Sequence, residues 1–358
     1  MKLKRLERVI GKMDTVGLEQ MVVTDAISIL YLTDIWVDSG ERLVALYINK
    51  RGNNRLIMNN MFPLPENPGV EVIRYSDTDP YLDMLGDCID PQKPLGVDKT
   101  MPARFLLPLI AQKCASDFVN ASVCVDEVRA VKDEEEMEAM RRVSAINDRA
   151  MDQFKGLLKE GVTEREVANR MKEIYQSLGA DDLSFPPSVC FGSNAAVGHY
   201  RCGDVPLKKG DCILIDVGCK KDNYCADMTR TFFCGEVQKE EHRRIYDLVL
   251  EANRAAEAMI RPGVRFCDID AAARNVIEKA GYGNCFTHRL GHFIGMEVHD
   301  FGDVSSANTE CTQAGQIFSI EPGIYIEGEM GVRIEDLVLV TEDGCEILNS
   351  YSKELECV

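Results

Sequence analysis

Five side chains that can bind metal ions lie in roughly the last 40% of the 358-residue chain. They are Asp216, Asp227, His292, Glu321 and Glu335, at successive separations of 11, 65, 29 and 14 residues. Four carboxylates and one imidazole supply the oxygen atoms and the negative charge that suit a pair of divalent cations with shared bridging ligands. Their order and spacing predict metal-assisted hydrolysis.

The first of these residues lies in a segment typical of a strand that is covered on both faces. Asp216 follows the apolar run Cys212-Ile213-Leu214-Ile215, so its carboxylate is predicted to be buried. An unpaired buried carboxylate costs several kcal/mol, roughly, and must therefore protonate, pair with a base or bind a metal. Asp227 and Thr229 share one face of the next predicted strand, Ala226 to Phe233, because strand side chains alternate with period two. Thr229 is therefore expected to support the metal ligands.

A further predicted strand, Val332 to Val340, places Arg333 and Glu335 on one face by the same rule. An arginine beside a metal-binding carboxylate can orient it without competing for the cation. The chain has five histidines, and four of them fall near these ligands in the sequence: His199, His288, His292 and His299. The fifth, His242, lies in a polar helical stretch and is predicted to be a solvated surface residue.

Four segments together resemble the proline-specific metallopeptidases, the family of aminopeptidase P and Xaa-Pro dipeptidase (prolidase). The resemblance is close from about residue 130 to the C-terminus and looser before it. It implies an α/β two-domain protein, with a creatinase/prolidase-like domain at residues 1–130 and an α+β "pita-bread" catalytic domain at residues 131–358. The segments are Asp216 to Thr231 with its Asp-x10-Asp-Met-Thr-Arg-Thr form, Gly291 to Gly295, Glu321 to Tyr325, and Gly331 to Asp336.

The resemblance also implies a role for each site residue. Asp216 and Asp227 would bind one metal, and Asp227, His292, Glu321 and Glu335 would build the second site, with Asp227 and Glu335 as bridges. A water or hydroxide between the two metals would attack the scissile carbonyl. Glu321 would also shuttle the proton. The remaining implied residues are His299 near the scissile bond, His199 at the oxyanion, His288 in the substrate pocket, and Tyr325, Arg333 and Thr229 as supports of the ligands.

Composition is typical of a cytoplasmic enzyme with two domains. The chain is 45% apolar and 28% charged, with a net charge of −18, so nucleic acid and anionic membranes are unfavourable partners. No apolar run reaches the length needed to span a bilayer, and the N-terminus does not resemble a signal peptide. The 14 cysteines include no Cys-x-x-Cys pair and indicate buried thiols in a reducing compartment rather than disulfides or zinc-thiolate sites.

Periodicity predicts the elements that position the site. In the N-terminal part it predicts a helix at Leu3 to Met13 and a hairpin turn at Asn49 to Asn54. In the C-terminal part it predicts a helix that opens at Asp133 and runs toward Leu158, and one that opens with the capping box at Thr163 and ends near Leu178. The other predicted helices are Glu240 to Ile260 and Asp268 to Ala280, and the other predicted strands are Met21 to Thr24, Leu43 to Ile48, Val70 to Tyr75 and Ala121 to Val125.

Several properties have more than one interpretation at this point. The expected substrates are short proline-containing peptides, either Xaa-Pro dipeptides or longer Xaa-Pro-Xaa peptides. The absence of Arg and Lys between Arg289 and Arg333 favours the longer peptides, because a free C-terminal carboxylate would lack a cationic partner there.

The expected cofactors are two divalent ions, manganese by family resemblance, with cobalt, zinc or iron as alternatives. A homodimer is expected, with the region of Trp36 and Asp38 near the neighbour's site. The rival functions are a metal-independent creatinase-type hydrolase, methionine aminopeptidase and a non-catalytic interaction protein.

Overall fold

The computed structural model of the chain describes residues 1–198 and 200–358. His199, one of the predicted site residues, lies outside the described residues. The chain divides into two compact units, Met1–Arg129 and Ala130–Val358, called here the N-terminal and C-terminal units. Among the helices of the described ranges, none combines the length and the apolar character that crossing a membrane requires.

The N-terminal unit is built around a mixed six-stranded sheet with the strand order β4-β3-β2-β1-β5-β6. The strands β1, β5 and β6 are parallel to one another, whereas β2 pairs antiparallel with both β1 and β3. Side chains from β2, β5 and α4, among others, form its buried core. Its elements are α1 (Leu3–Thr15), β1 (Gln20–Val23), α2 (Ala26–Thr33), β2 (Ala45–Asn49), β3 (Arg55–Asn59), β4 (Glu71–Tyr75), α3 (Tyr81–Gly86), β5 (Leu95–Val97), α4 (Ala103–Ala111), β6 (Phe118–Asn120) and α5 (Val123–Ala130).

The predicted strand Ala121 to Val125 is wrong, because most of this segment belongs to the helix α5. Cys124, Val125 and Val128 are all buried, and this spacing lies on one face of a helix rather than on alternate faces of a strand. The β-branched residues suggested a strand, but burial of the helical face outweighs that local preference. The predicted turn between Asn49 and Asn54 is confirmed, since it joins the antiparallel strands β2 and β3.

The described part of the C-terminal unit combines α-helices with small antiparallel sheets, and the site residues lie in or beside several of these sheets. Its helices are α6 (Glu134–Lys155), α7 (Glu164–Ser177), α8 (Glu240–Glu257) and α9 (Phe266–Lys279), with 3₁₀ helices at Gly192–Ala196 and Gly283–Cys285. Its strands are β7 (Asp182–Leu183), β8 (Ser188–Phe191), β9 (Cys212–Val217), β10 (Cys219–Lys221), β11 (Tyr224–Cys225), β12 (Met228–Phe233), β13 (Gly291–His292), β14 (Asp303–Val304), β15 (Ile317–Ile320), β16 (Gly323–Ile326), β17 (Met330–Arg333), β18 (Asp336–Val340) and β19 (Cys345–Ile347).

Capping explains where the first two helices of this unit begin. The side chain of Asp133 accepts a hydrogen bond from the Glu136 amide, and that of Thr163 accepts one from the Glu166 amide. In both cases the glutamate returns a bond to the backbone of the capping residue, which completes a capping box. The predicted helix starts at Asp133 and Thr163 are confirmed.

The strand β9 is covered on both faces, as its apolar run predicted. Cys212 and Leu214 belong to the core under α8 and α9, while Ile213 and Ile215, which alternate with them, are fully buried on the other face. Asp216 has the same parity as Cys212 and Leu214 and therefore points to the side of that core. Its side chain is 22% exposed, so it is less buried than the apolar run predicted.

The predicted continuous strand Val332 to Val340 is also wrong. The chain forms β17, which pairs with β16, and then β18, which pairs with β15. Ile334 and Glu335 lie at the break, where the Glu335 amide donates to the Thr229 carbonyl at 3.1 Å. The alternation of side chains along one strand could not reveal this change of partner. The change depends on the positions of β15 and β16.

Close packing against β17 requires a glycine, which gives a test of the fold. A Cβ atom at Gly331 would lie 2.0 Å from the Ala195 carbonyl oxygen. We expect Gly331→Ala to lower the free energy of unfolding by at least about 1–3 kcal/mol, or the Tm by roughly 2–4 °C per kcal/mol for a unit of this size. Thermal unfolding followed by circular dichroism measures the effect.

The matched control is Gly344→Ala in the same unit, where the nearest atom, Thr341 Oγ1, would lie 3.9 Å away in ordinary contact. This variant should keep the Tm of the parent protein. Equal behaviour of the two variants would contradict the packing at Gly331.

Candidate metal centre

Two paired strands bring the first ligand candidates together. The register of β9 and β12 places Thr229 directly opposite Asp216, so both side chains lie on one face of the sheet. Asp227 immediately precedes β12, two residues before Thr229, and is buried. The predicted proximity of Asp227 and Thr229 thus follows from their positions at the start of β12.

Glu335 reaches the same place from the break between β17 and β18. The Thr229 hydroxyl donates a hydrogen bond to Glu335 Oε2 at 2.7 Å. Together with the bond from the Glu335 amide to the Thr229 carbonyl, this fixes both the backbone and the side chain of Glu335 to the strand after Asp227. Sequence alone assigned Thr229 a supporting role, and these two bonds describe how it contacts a ligand candidate.

His292 and Glu321 are joined by Ser319, a residue that sequence reasoning missed. The Ser319 hydroxyl accepts a bond from the His292 amide at 3.0 Å and donates one to Glu321 Oε1 at 3.1 Å. Gly291 permits this approach, since a Cβ there would lie 1.8 Å from the Ser319 carbonyl oxygen. A serine in an apolar strand gives little signal in the sequence, because its partners are two and 27 residues away.

The ligand atoms converge on a small volume. His292 Nε2 lies 3.6 Å from Asp227 Oδ2 and 3.6 Å from Glu321 Oε1. One ligand atom from each of Asp227, His292 and Glu335 lies within 4.8 Å of the other two, and all three residues are buried. This geometry allows the three side chains to share one metal ion.

Arg333 links Asp216 to the rest of the group. Its Nη2 donates to Asp216 Oδ2 at 2.7 Å, its Nε donates to Thr229 Oγ1 at 2.9 Å, and its Nη1 donates to the Tyr325 hydroxyl at 3.0 Å. Its Nε also lies 4.0 Å from Glu321 Oε2. The guanidinium therefore offsets part of the negative charge of the cluster and fixes the position of Asp216.

His288 joins this network through Tyr325. His288 Nε2 lies 2.8 Å from the Tyr325 hydroxyl, and His288 Nδ1 lies 2.7 Å from the Arg289 carbonyl oxygen. A carbonyl only accepts, so we assign the proton to Nδ1; Nε2 then accepts from Tyr325, whose oxygen already accepts from Arg333. Burial lowers the pKa of His288, which favours this neutral form.

The other histidines differ in placement. The ring of His299 packs edge-on against that of His292, with 4.3 Å between the ring centroids. Asp300, the next residue, forms a buried ion pair with Lys132 at 3.1 Å. The prediction for His242 is wrong, since its side chain is only 12% exposed, pairs with Glu329 at 3.0 Å and stacks on Phe233.

The charges in the cluster explain its affinity for protons or cations. Burial, followed by the neighbouring carboxylates, raises the pKa of Asp227 and of Glu335 well above their usual values. Burial also raises the pKa of Glu321. Among the described residues, Asp227 Oδ1 is buried without a hydrogen-bond partner. Carboxylates in this state either hold protons or bind cations.

Burial has the opposite effect on the two nitrogen bases. It lowers the pKa of His292 to about 4, and the ring is therefore neutral near pH 7. Nδ1 faces the Phe293 carbonyl oxygen at 3.2 Å, so Nε2 carries the lone pair and faces Asp227 and Glu321. Burial alone would lower the pKa of Arg333, but Tyr325 and Asp216 raise it well above its usual range, and the guanidinium stays charged.

Glu164 is a second residue that sequence reasoning did not identify. It is fully buried; its Oε1 accepts from the Phe191 amide and the Asn194 side chain at 2.8 Å, and its Oε2 accepts from the Gly203 amide at 3.0 Å. One carboxylate thus holds Phe191, Asn194 and Gly203 together. The capping box at Thr163 accounts for Glu166 but gives no signal for Glu164.

Metal-free protein should lose stability as the pH rises. The raised pKa values of Asp227, Glu321 and Glu335 mean that the native state holds protons which the unfolded chain releases above about pH 4. This stabilisation is complete below that pH. It is lost as the pH rises through the raised pKa values that the three carboxyl groups have in the native state. The Tm of chelated protein should fall as the pH rises above about 6.5, where the lowered pKa values of His288 and His292 no longer oppose the trend, and added Mn²⁺ should reduce the fall.

Asp227→Asn provides the control, because it removes one of the three groups. Its Tm should fall less steeply over the same pH range. A chelated parent protein whose Tm rises with pH, or a variant with an identical slope, would contradict the proton linkage.

Comparison with known proteins gives the family of the chain. The model of Metallopeptidase family M24 matches residues 138–342, and that of the Creatinase/Prolidase N-terminal domain matches residues 5–131. An uncharacterized peptidase of Staphylococcus aureus is 35% identical over 354 residues, which cover 98% of this chain and 100% of that protein.

Solved structures agree with the family models. A prolidase from Thermococcus sibiricus is 31% identical with a TM-score of 0.90, covering 100% of this chain and 99% of that one. An X-Pro aminopeptidase from Thermotoga maritima is 28% identical with a TM-score of 0.85, covering 97% and 100%. These findings confirm the predicted resemblance and the predicted fold class. The chain belongs to metallopeptidase family M24 and has a creatinase/prolidase N-terminal domain.

Proposed function

We propose that this protein is a dinuclear-metal hydrolase that cleaves the Xaa-Pro bond at the N-terminus of short peptides. The observation that carries the proposal is the buried group of Asp227, His292 and Glu335, whose ligand atoms lie within 4.8 Å of one another. Membership of a metallopeptidase family supports the use of divalent metal. Solved structures named as prolidase and X-Pro aminopeptidase support the choice of substrate.

The donor set fits divalent cations. It is rich in carboxylate oxygen, includes one neutral imidazole, and leaves Asp227 Oδ1 buried without a partner among the described residues. Asp216 and Asp227 would hold one ion, while His292 and Glu321 would hold the second, with Asp227 and Glu335 shared. Two ions bound here would activate water as a nucleophile and polarise the scissile carbonyl.

The protein side chains would then orient the substrate and move the proton. Glu321 can take a proton on its carboxylate, because its pKa is raised by burial and Ser319 holds Oε1 in a fixed position. His299, next to His292, would bond the substrate near the scissile bond, and His199 would stabilise the oxyanion. His288 would line the pocket while it holds Tyr325, and Tyr325 and Arg333 would keep Asp216 in place.

The length of the preferred peptide follows from how its C-terminus is bound. The stretch between Arg289 and Arg333 contains no Arg or Lys, and Arg333 already bonds Asp216, Thr229 and Tyr325. This supports peptides longer than two residues, as in aminopeptidase P. The similarity to a prolidase supports dipeptides, so both lengths belong to the proposal and to its test.

The remaining features stay predictions. Residues 1–130 and 131–358 are proposed as the N-terminal and catalytic domains. Manganese is the proposed metal, a homodimer the proposed assembly, and the cytoplasm the proposed location. The 14 free cysteines support a reducing compartment.

The first test compares an Xaa-Pro dipeptide with an Xaa-Pro-Xaa tripeptide of the same first residue. Chelated protein should be inactive, and added Mn²⁺ should restore cleavage of the bond before proline, measured by chromatography of the released amino acid. The preferred length distinguishes a dipeptidase from an aminopeptidase. Cleavage that persists after exhaustive chelation would support a creatinase-type hydrolase, and cleavage of neither peptide would favour a binding protein.

The second test removes single ligand candidates. Asp227→Asn and Glu321→Gln should each lower kcat/KM by at least about 100-fold while the protein stays folded, because each removes a charged ligand and leaves a side chain of nearly equal size. Glu342→Gln, at an exposed glutamate of the same unit, is the matched control and should keep full activity. Normal turnover in either ligand variant would overturn the proposed site.

A further inference from the structure

Arg230 follows Thr229 in β12 but faces away from the carboxylate cluster. Its residue is only 1% exposed, and a guanidinium has five N–H donors that need partners when buried. Nε donates to the Ser352 carbonyl, Nη1 to the carbonyls of Thr229 and Glu335, and Nη2 to Asp336 Oδ1 and the Tyr351 carbonyl, all at 2.7–3.0 Å. All five donors are therefore used.

Two of these acceptors belong to the last ten residues, Asn349–Val358, called here the C-terminal strap. Lys353 of the strap pairs with Asp336 at 2.8 Å and with Glu257 of α8 at 2.7 Å. It also donates to the Asn253 side chain at 2.9 Å. Positive and negative groups thus alternate from Arg230 through Asp336 and Lys353 to Glu257, and the strap supplies one of the two cations.

Asn349, at the start of the strap, forms hydrogen bonds with Leu337 of β18 and with Asp227. Its Oδ1 accepts from the Leu337 amide at 2.7 Å, and its Nδ2 donates to the Asp227 carbonyl at 3.5 Å. The far end of the strap follows β12, where the Phe233 amide donates to the Glu356 carbonyl at 3.1 Å. The strap therefore begins at Asp227 and β18, the strand that follows Glu335, and ends beside β12.

We propose that the C-terminal strap positions the metal ligands, with Arg230 and Lys353 as positioning residues for Glu335 and Asn349 as a positioning residue for Asp227. The inference rests on the proposed function, since it concerns the same metal site. Arg230 holds the carbonyl of Glu335 itself, and Lys353 neutralises Asp336, the next residue. Because a buried charge is stable only while it is paired and hydrogen-bonded, the loss of Lys353 would leave Asp336 with Arg230 as its one remaining cationic partner among the described residues and would shift the adjoining ligand.

A residue that positions metal ligands can be distinguished from one that only stabilises the fold, because only the first changes the affinity for metal when it is substituted. Removal of a group that holds a metal ligand in its orientation typically lowers metal affinity or activity by about 10- to 100-fold. A purely structural contact would lower the Tm and leave the affinity for metal unchanged. The binding of Mn²⁺ alone, without substrate, therefore tests the inference.

The experiment compares Lys353→Met with Lys353→Arg and Lys155→Met in the full-length protein. Lys155 bonds Glu356 of the strap at 2.6 Å. It is a matched control, because its side chain contacts the strap but neither β12 nor β18. Calorimetric titration with Mn²⁺ should give a dissociation constant about 10- to 100-fold weaker for Lys353→Met, with partial recovery in Lys353→Arg and no change in Lys155→Met. The visible absorption of Co²⁺-loaded protein should change only in Lys353→Met and, to a smaller extent, in Lys353→Arg.

The outcomes separate this inference from the proposed function. A parent protein that binds no divalent metal would overturn both. A parent that binds Mn²⁺ and cleaves Xaa-Pro peptides, together with a Lys353→Met variant of equal affinity and equal Co²⁺ spectrum, would overturn the positioning role alone, whatever its Tm. Should Lys353→Met fail to fold, Asn349→Ala decides by the same titration: weaker binding supports the role, and unchanged binding overturns it.

Discussion

Repulsion among clustered carboxylates is the constraint on which the rest of the C-terminal unit depends. Asp216, Asp227, Glu321 and Glu335 meet beside Arg333, whose guanidinium bonds Asp216 and lies 4.0 Å from Glu321. Their like charges, added to burial, raise the pKa of Asp227 and Glu335. Taking several anions out of water costs several kcal/mol each, roughly, so the cluster needs protons, the Arg333 guanidinium or bound cations to offset its charge. Cations that bind there would recover much of that free energy.

The sequence predicted the parts of this arrangement that depend on local rules. Alternation along β12 related Thr229 to Asp227, the apolar run identified β9, and capping boxes located the starts of α6 and α7. Local rules failed where distant segments decide the structure. The break at Ile334 and Glu335 exists because β17 and β18 have different partners, and α5 forms because one helical face is buried.

Residues that position the ligands were harder to find than the ligands. Ser319 and Arg230 act mainly through backbone amides or carbonyls far away in the chain, such as the His292 amide for Ser319 and the Glu335 carbonyl for Arg230. Backbone groups are the same at every residue, so such contacts leave no pattern in a single sequence. The ligands, in contrast, must be Asp, Glu or His, and their types and spacing reveal them.

Neighbouring side chains hold one oxygen in each of three carboxylates of the cluster. Arg333 holds Asp216 Oδ2, Ser319 holds Glu321 Oε1, and Thr229 holds Glu335 Oε2. Each bond fixes the direction of one oxygen and orients the second oxygen of the same carboxylate. Two of these donors are neutral hydroxyls, which orient a carboxylate without neutralising it. A lysine in either position would satisfy the charge inside the protein and weaken the binding of a cation. Because Thr229 and Ser319 donate from hydroxyls rather than from amines, the cluster stays negative where a metal ion would bind.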